Sequence, residues 1–297
     1  LRKLETTMTM WPITPSRPCP LPGLSITPGQ LDLWLVRSPT SGAQPVLDLS
    51  DLDETERART DGFRRPADGL LYAAAHAGLR RLLSRYTGQA PWDVRFTREP
   101  CPGCGASHGR PAVADPPVPL HFSLSHSSGV ALLGFASVPI GVDVERLPRE
   151  DTVDTCETAL HPGERAELAA VPAADRRAVF GWLWTRKEAH LKALGVGLSR
   201  GTARDYLGLC GAEQPSDWAV HSVPCFTDYV AAVAIPRSGP TEAAVRCIPA
   251  QWLGTSDAWR TEDAPAGVRL PLAVASRATT PLSLWSLPML SSTQAAR

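Results

Sequence analysis

An α+β fold in two similar halves is what this sequence predicts, and three patterns carry the prediction. Helical periodicity followed by short alternating or apolar strand segments occurs twice, over residues 50–145 and again over 150–236. The apolar runs, such as YVAAVAI at 229–235, have the length of core strands. They fall far below the roughly 18–20 residues of a membrane span. Glycine and proline stand where the helices should start and stop.

Residues 1–29 contain WPITPSRPCPLPG, rich in proline, serine and threonine, and read as a disordered leader. QLDLWLVRS (30–38) alternates apolar and polar residues and reads as a first strand. SDLDETERARTDGF (50–63) opens with a capping residue and an acidic first turn, the signature of a helix start. PADGLLYAAAHAGLRRLLSRYTG (66–88) is a longer amphipathic helix, with Asp68 as its N-cap and Gly88 at its end. WDVRFTR (92–98) alternates and reads as a strand. HFSLSHSSGVALLGFASVPIGVDVE (121–145) is the strongest β signal, with strands at about 130–136 and 140–145 expected to pair as a hairpin across SVP. Helices follow at about 150–160, 162–171 and 174–194, with Pro162 at a first helical position and Gly195 at a C-cap. WAVHSVPCFTDYVAAVAIP (218–236) reads as a second hairpin, and the chain from about 238 breaks into Pro, Ser, Thr and Ala. The organisation expected is a leader (1–29), an N-terminal half (30–140), a C-terminal half (141–237) and a weakly folded or disordered tail (238–297).

Thirty basic residues balance thirty acidic ones. That excludes a broad nucleic-acid or polybasic membrane surface while leaving room for a local anion site. Seven cysteines are scattered and odd in number, and the first residues lack a signal-peptide succession, so reduced thiols in the cytoplasm are expected. Only three of the basic residues are lysine: Lys3, Lys187 and Lys192. The last two fall in WTRKEAHLK (184–192), on either side of Glu188. Lysine is a compact ammonium whose pKa can move, whereas arginine is a fixed planar fork.

Trp184, Glu188 and Lys192 at i, i+4 and i+8 share one helix face, anchored by an apolar stripe of Phe180, Leu183, Leu191 and Leu194. In GVDVE (141–145), Asp143 and Glu145 lie two apart on a strand, so both point one way while Val142 and Val144 point into the core. Two like charges on one face are either solvated or hold a cation between them. An all-oxygen set suits Mg²⁺ or Mn²⁺. FSLSHSSG (122–129) sets Ser123, Ser125 and Ser127 on alternating positions with His126 between, which suits a phosphate or ribose contact, a hydrolase nucleophile, or merely a capped strand start. No G-x-S-x-G elbow surrounds these serines. CPGCGASH (101–108) holds one C-x-x-C with His108 four beyond Cys104. A structural zinc site needs four ligands and no second pair follows, so the stretch reads as a Pro/Gly-rich loop.

FSLSHS, IGVDVE and WTRKEAHLK followed by ALGVGLS, in this order and spacing, resemble the surfactin-synthetase type of 4'-phosphopantetheinyl transferases over about residues 30–236. The resemblance implies two similar α/β halves related by pseudo-two-fold symmetry in one monomeric, cytoplasmic chain. It implies transfer of the 4'-phosphopantetheine arm of coenzyme A to a serine of an apo acyl or peptidyl carrier protein, with no nucleic-acid or membrane partner. Asp143, Glu145 and Glu188 would bind Mg²⁺. Glu188 would also serve as general base and Lys192 would meet the pyrophosphate. His126 and Ser125 would contact the 3'-phosphate, Arg110 in GRP (109–111) the adenine end, and Lys187 would add positive field. Where the family pattern often has arginine this chain has Leu71, and Arg64, Arg65 or Arg80 would compensate. A Mg²⁺-dependent phosphohydrolase and a non-catalytic coenzyme A- or carrier-binding module are the competing readings.

Overall fold

A computed structural model describes residues 23–39, 46–208 and 214–272. Strand β1 (Gln30–Arg37) leads to helices α1 (Glu54–Asp61) and α2 (Pro66–Thr87). The short strands β2 (Phe96–Arg98) and β3 (Pro111–Val113) follow, then β4 (His121–Ser127), β5 (Val130–Ala136) and β6 (Gly141–Arg146). The second half runs through α3 (Glu150–Cys156), α4 (Pro162–Ala169), α5 (Ala173–Leu194), β7 (Trp218–Ser222) and β8 (Tyr229–Pro236). It is followed by β9 (Glu242–Cys247), α6 (Ala258–Thr261) and β10 (Val268–Pro271).

A five-stranded sheet has the order β10-β9-β1-β5-β4 and a three-stranded sheet the order β6-β8-β7, while β2 and β3 pair alone. Side-chain alternation along β1 fixes how the layers stack. Leu31, Leu33 and Leu35 join Val142, Val144 and Val233 of the second sheet in one core. Trp34 and Val36 join Leu71, Leu79 and Leu82 of α2 in another. On the far side Ala189 and Ala193 of α5 meet Ala232 and Ala234 of β8. The layers therefore run α2, five-stranded sheet, three-stranded sheet, α5. Each fully buried Val or Leu adds roughly 1.5–3 kcal/mol to holding them together.

Two local features set the approach of α5. A Cβ on Gly141 would lie 2.0 Å from the Ala189 carbonyl oxygen and 2.3 Å from the Ala193 nitrogen, so only glycine lets the helix backbone rest on β6. Just beyond that contact, at the C-cap of α5, Gly195 takes φ 73°, and its N–H returns to the Leu191 and Lys192 carbonyls.

The expected hairpin across SVP is corrected. β5 pairs with β4, through Ser128 (φ 45°) and Gly129 (φ 98°), whose left-handed conformations suit a two-residue turn. β6 instead pairs with β8, so Ser137–Pro139 carries the chain from one sheet to the other. The second hairpin, β7 with β8, forms within 218–236 as expected. Helix α2 begins with Pro66 at its first position and Arg65 as N-cap, which places Asp68 inside the first turn rather than at the cap. The expected bound of the tail at 238 also shifts. β9 lies parallel to β1 and β10 antiparallel to β9, and Trp252 and Trp259 enter the α2 core. A six-residue strand amid Pro, Ser and Thr carries too little local signal to be seen without its partner. Residues 1–22 of the leader and 273–297 of the tail lie outside the described residues.

Candidate active site

A cleft of about 920 Å³ opens along the free edge of β4, between the two sheets. β4 ends the first sheet and runs beside β6 of the second. Its alternate serines close the seam: Ser123 Oγ accepts the Val142 N–H at 3.0 Å, and Ser127 Oγ accepts that of Arg146 at 3.4 Å. The hydroxyl of Ser125 donates to Asp143 Oδ1 at 2.6 Å and that of Ser127 to Glu145 Oε2 at 2.6 Å. The alternation that puts these serines on the β6 side puts His126 on the α2 side. One strand thus furnishes two walls of the cleft.

Helix α5 supplies the third wall. Positions 184, 188 and 192 are the half-buried ones in a stretch where the others from Gly181 to Ala193 are buried, so the i, i+4, i+8 face is the one left open. Glu188 and Lys192 line the cleft with Asp143 and Glu145. Lys192 Nζ lies 2.7 Å from Asp143 Oδ1 and 3.0 Å from Ser125 Oγ. An ammonium has three donors, so one remains for an oxygen in the cleft.

The electrostatics are those of crowded acids. Burial, with repulsion from Asp143 and Glu188 and only partial relief from the Ser127 hydroxyl and Lys192, pushes the Glu145 carboxyl up to about 7. Burial likewise raises Glu188, with Asp143 adding to the shift and Lys192 opposing it. Asp143 is 2% exposed, and its Oδ2 is buried without a hydrogen-bond partner. An unpaired buried carboxylate oxygen beside two acids whose charge is disfavoured fits a divalent cation, which would satisfy the oxygen and lower both pKa values. The donor oxygens of Asp143, Glu145 and Glu188 are not gathered into a closed trio. Among the described residues only Cys101, Cys104 and His108 hold their donor atoms within 4.8 Å of one another. An open carboxylate set suits Mg²⁺, which keeps waters and takes substrate phosphates as ligands.

The α2 side is basic and aromatic. Tyr72 stacks on His76 with centroids 4.0 Å apart and stands edge-on to His126 at 6.3 Å. The Arg59 guanidinium lies 5.4 Å from the Tyr72 ring centroid. Desolvation by the cleft walls, with the charges of His76, Lys192 and Arg59, holds His126 below the usual histidine range. Arg59, Tyr72 and His76 all line the cleft and were missed in the sequence. The i, i+4 spacing of Tyr72 and His76 was the available signal.

Other expected residues are placed elsewhere. Lys187 turns away from the cleft: 1% exposed, its ammonium lies 2.7 Å from Glu164 Oε2 and donates to the Asp205 carbonyl at 2.8 Å. One step along the helix is a rotation of about 100°, enough to move it from the open face to the closed one. Arg64 is exposed and does not line the cleft. Arg80 is buried and spent on Glu56, Asp53 and two carbonyls, while Leu71 packs in the α2 core, so neither bears on phosphate binding. Arg110 does line the cleft, but as a latch: it donates to the Ala193 carbonyl at 2.6 Å and to Glu99 at 2.5 Å, tying its loop to the end of α5.

The sequence that builds this cleft has relatives. The profile of the 4'-phosphopantetheinyl transferase superfamily matches residues 139–234. The chain is 33% identical over 187 residues to 4'-phosphopantetheinyl transferase HetI of Nostoc sp., covering 60% of this chain and 74% of that protein. It is 29% identical over 151 residues to 4'-phosphopantetheinyl transferase Sfp of Bacillus subtilis, covering 51% and 63%. A phosphopantetheinyl transferase of Thraustochytrium sp. is 26% identical over 196 residues, covering 60% and 65%. The chain belongs to the 4'-phosphopantetheinyl transferase superfamily and is an enzyme of the transferase class. No helix among the described residues is long and apolar enough to cross a membrane.

Proposed function

We propose that this cleft transfers the 4'-phosphopantetheine arm of coenzyme A to a serine hydroxyl of an apo acyl or peptidyl carrier protein, as a broad-specificity enzyme of the surfactin-synthetase type. Family membership supports the reaction class. The observation that carries the residue roles is the convergence of Asp143 and Glu145 from β6 with Glu188 and Lys192 from α5 on one cleft. In the reaction the serine oxygen bonds to the β-phosphorus of coenzyme A. The bond from that phosphorus to the bridging pyrophosphate oxygen breaks, and adenosine 3',5'-bisphosphate leaves.

Glu188 takes the serine proton. A carboxylate raised by burial is a better base than a solvated one, and a positioned base contributes about 10²–10⁴-fold. Asp143, Glu145 and Glu188 would hold Mg²⁺ or Mn²⁺, which when bound supplies charge neutralisation on the pyrophosphate. Lys192 offers its remaining proton to the leaving group, held in place by Ser125 and Asp143. His126, with Arg59 and His76, offers the phosphate and nucleotide end of coenzyme A a basic and aromatic wall.

The test incubates the protein with coenzyme A, Mg²⁺ and several apo carrier proteins and weighs the carriers. A mass gain equal to the phosphopantetheine arm, abolished by a chelator and restored by Mg²⁺, is expected. No gain on any carrier, with phosphate released instead, would make the cleft a phosphohydrolase site.

A further inference from the structure

The loop between β2 and β3 brings two thiols and an imidazole together at the rim of the cleft. Cys101 is buried, Cys104 and His108 are exposed, and their three donor atoms lie within 4.8 Å of one another. Cys104 Sγ stands 3.0 Å from His108 Nε2. The backbone builds this arrangement. Gly105 takes φ 77° and its N–H meets the Cys101 carbonyl at 2.8 Å, while the Cys101 and His108 N–H groups both reach the Ala106 carbonyl at 2.8 Å. The Gly103 and Cys104 N–H groups turn toward the Cys101 sulfur. The loop's base is closed by Glu99 N–H to the Arg110 carbonyl at 2.9 Å and Gly109 N–H to the Glu99 carbonyl at 3.0 Å.

We propose that Cys101, Cys104 and His108 hold one Zn²⁺, with a water molecule in the fourth position, and that the ion braces the loop from which Arg110 reaches α5. Tetrahedral zinc, with bonds of about 2.3 Å to sulfur and about 2.0–2.1 Å to nitrogen, sets its donors about 3.6–3.8 Å apart. Cys104 Sγ and His108 Nε2 start 3.0 Å apart and no pair of the trio exceeds 4.8 Å, so each separation changes by at most about 1 Å. Two thiolates and an imidazole select zinc over Mg²⁺, which takes oxygen ligands. The chain would thus carry a soft-metal site beside a hard-metal one without competition between them. Cys156 and His161 do not complete the set; His161 caps α4 by accepting the Gly163 N–H at 3.1 Å.

The test strips the full chain with a chelator under reducing, oxygen-free conditions. It is then titrated with a zinc salt against a chromophoric chelator, and in parallel with Co²⁺. One equivalent of zinc is expected, with a thiolate-to-cobalt charge-transfer band. Binding should weaken at least about tenfold in Cys104→Ser and in His108→Ala. Both positions are exposed, so the variants should keep their fold by circular dichroism. Zinc should slow amide hydrogen exchange across 101–110, and excess Mg²⁺ should leave the binding unchanged. The proposal is overturned by no zinc uptake with the thiols free, by uptake unchanged in a Cys101→Ser/Cys104→Ser variant, or by a Cys101–Cys104 disulfide in protein isolated without oxygen.

Discussion

Helices α2 and α5 are each 22 residues long, each end at a left-handed glycine, and each covers one sheet. They part in how they use charge. On α2, Arg80 binds Glu56, Asp53 and the Pro91 and Val94 carbonyls, and Arg81 binds Asp51, Asp48 and the Trp252 and Gly254 carbonyls. Backbone carbonyls and carboxylates take most of the donors of both guanidinium forks, so they pin α1 and the C-terminal segment to the helix. On α5, Arg186 and Lys187 do the same work on the closed face, reaching Leu207, Val220, Glu164 and Asp205. Glu188 and Lys192 lie on the open face. A buried charge held between carboxylates and backbone carbonyls is architecture; crowded carboxylates and an ammonium that face a cleft are chemistry.

The sharpest way to break this contrast is to exchange the two lysines' fates. Lys192→Ala should cut transfer per folded molecule by about 10²–10³-fold, as removing one transition-state donor does. Lys187→Ala should instead lose about 3–5 kcal/mol of stability in urea unfolding, because Glu164 stays buried, and should keep its rate per folded molecule. Equal activity losses in both would erase the distinction between faces.

A smaller effect is expected where α5 touches β6. Gly141→Ala forces a Cβ onto the Ala189 carbonyl and should cost about 1–3 kcal/mol, with a larger loss of activity than of stability because Asp143 and Glu188 move apart. An unchanged melting curve would show that the contact is looser than 2.0 Å implies.

The most gradual effect is on pH. Burial holds His190 and His221 down at about 4 in the fold, against 6.5 ordinarily. Between those values the unfolded chain takes up protons that the folded one refuses. Their contribution is therefore complete above 6.5 and is lost as pH falls toward 4, by up to about 1.4 kcal/mol per pH unit for each histidine. His221→Gln should flatten that slope in denaturant midpoints measured from pH 7 to pH 4; a slope identical to wild type would contradict it.

Local periodicity made much of this legible. Strand alternation alone put Asp143 and Glu145 on one face and the valines in the core, and helix spacing alone put Glu188 and Lys192 together. What stayed hidden depends on partners far away in sequence. SVP has the length of a hairpin turn, and only the pairing of β6 with β8 shows that it links two sheets. β9 becomes a strand by lying against β1, some 210 residues earlier. Arg59 and His76 reach the cleft through the packing of α1 on α2. Lysine usage marked α5 as unusual but could not divide labour between Lys187 and Lys192, because that depends on where Glu164 sits.

The central claim is that the open face of α5 does the chemistry, and Glu188→Gln tests it most directly. The initial rate of arm transfer to an apo carrier is measured by mass, with circular dichroism and melting temperature matched to wild type. The account predicts a fall of about 10²–10⁴-fold in a fully folded protein. A rate within a few-fold of wild type would remove Glu188 from the reaction and contradict the account.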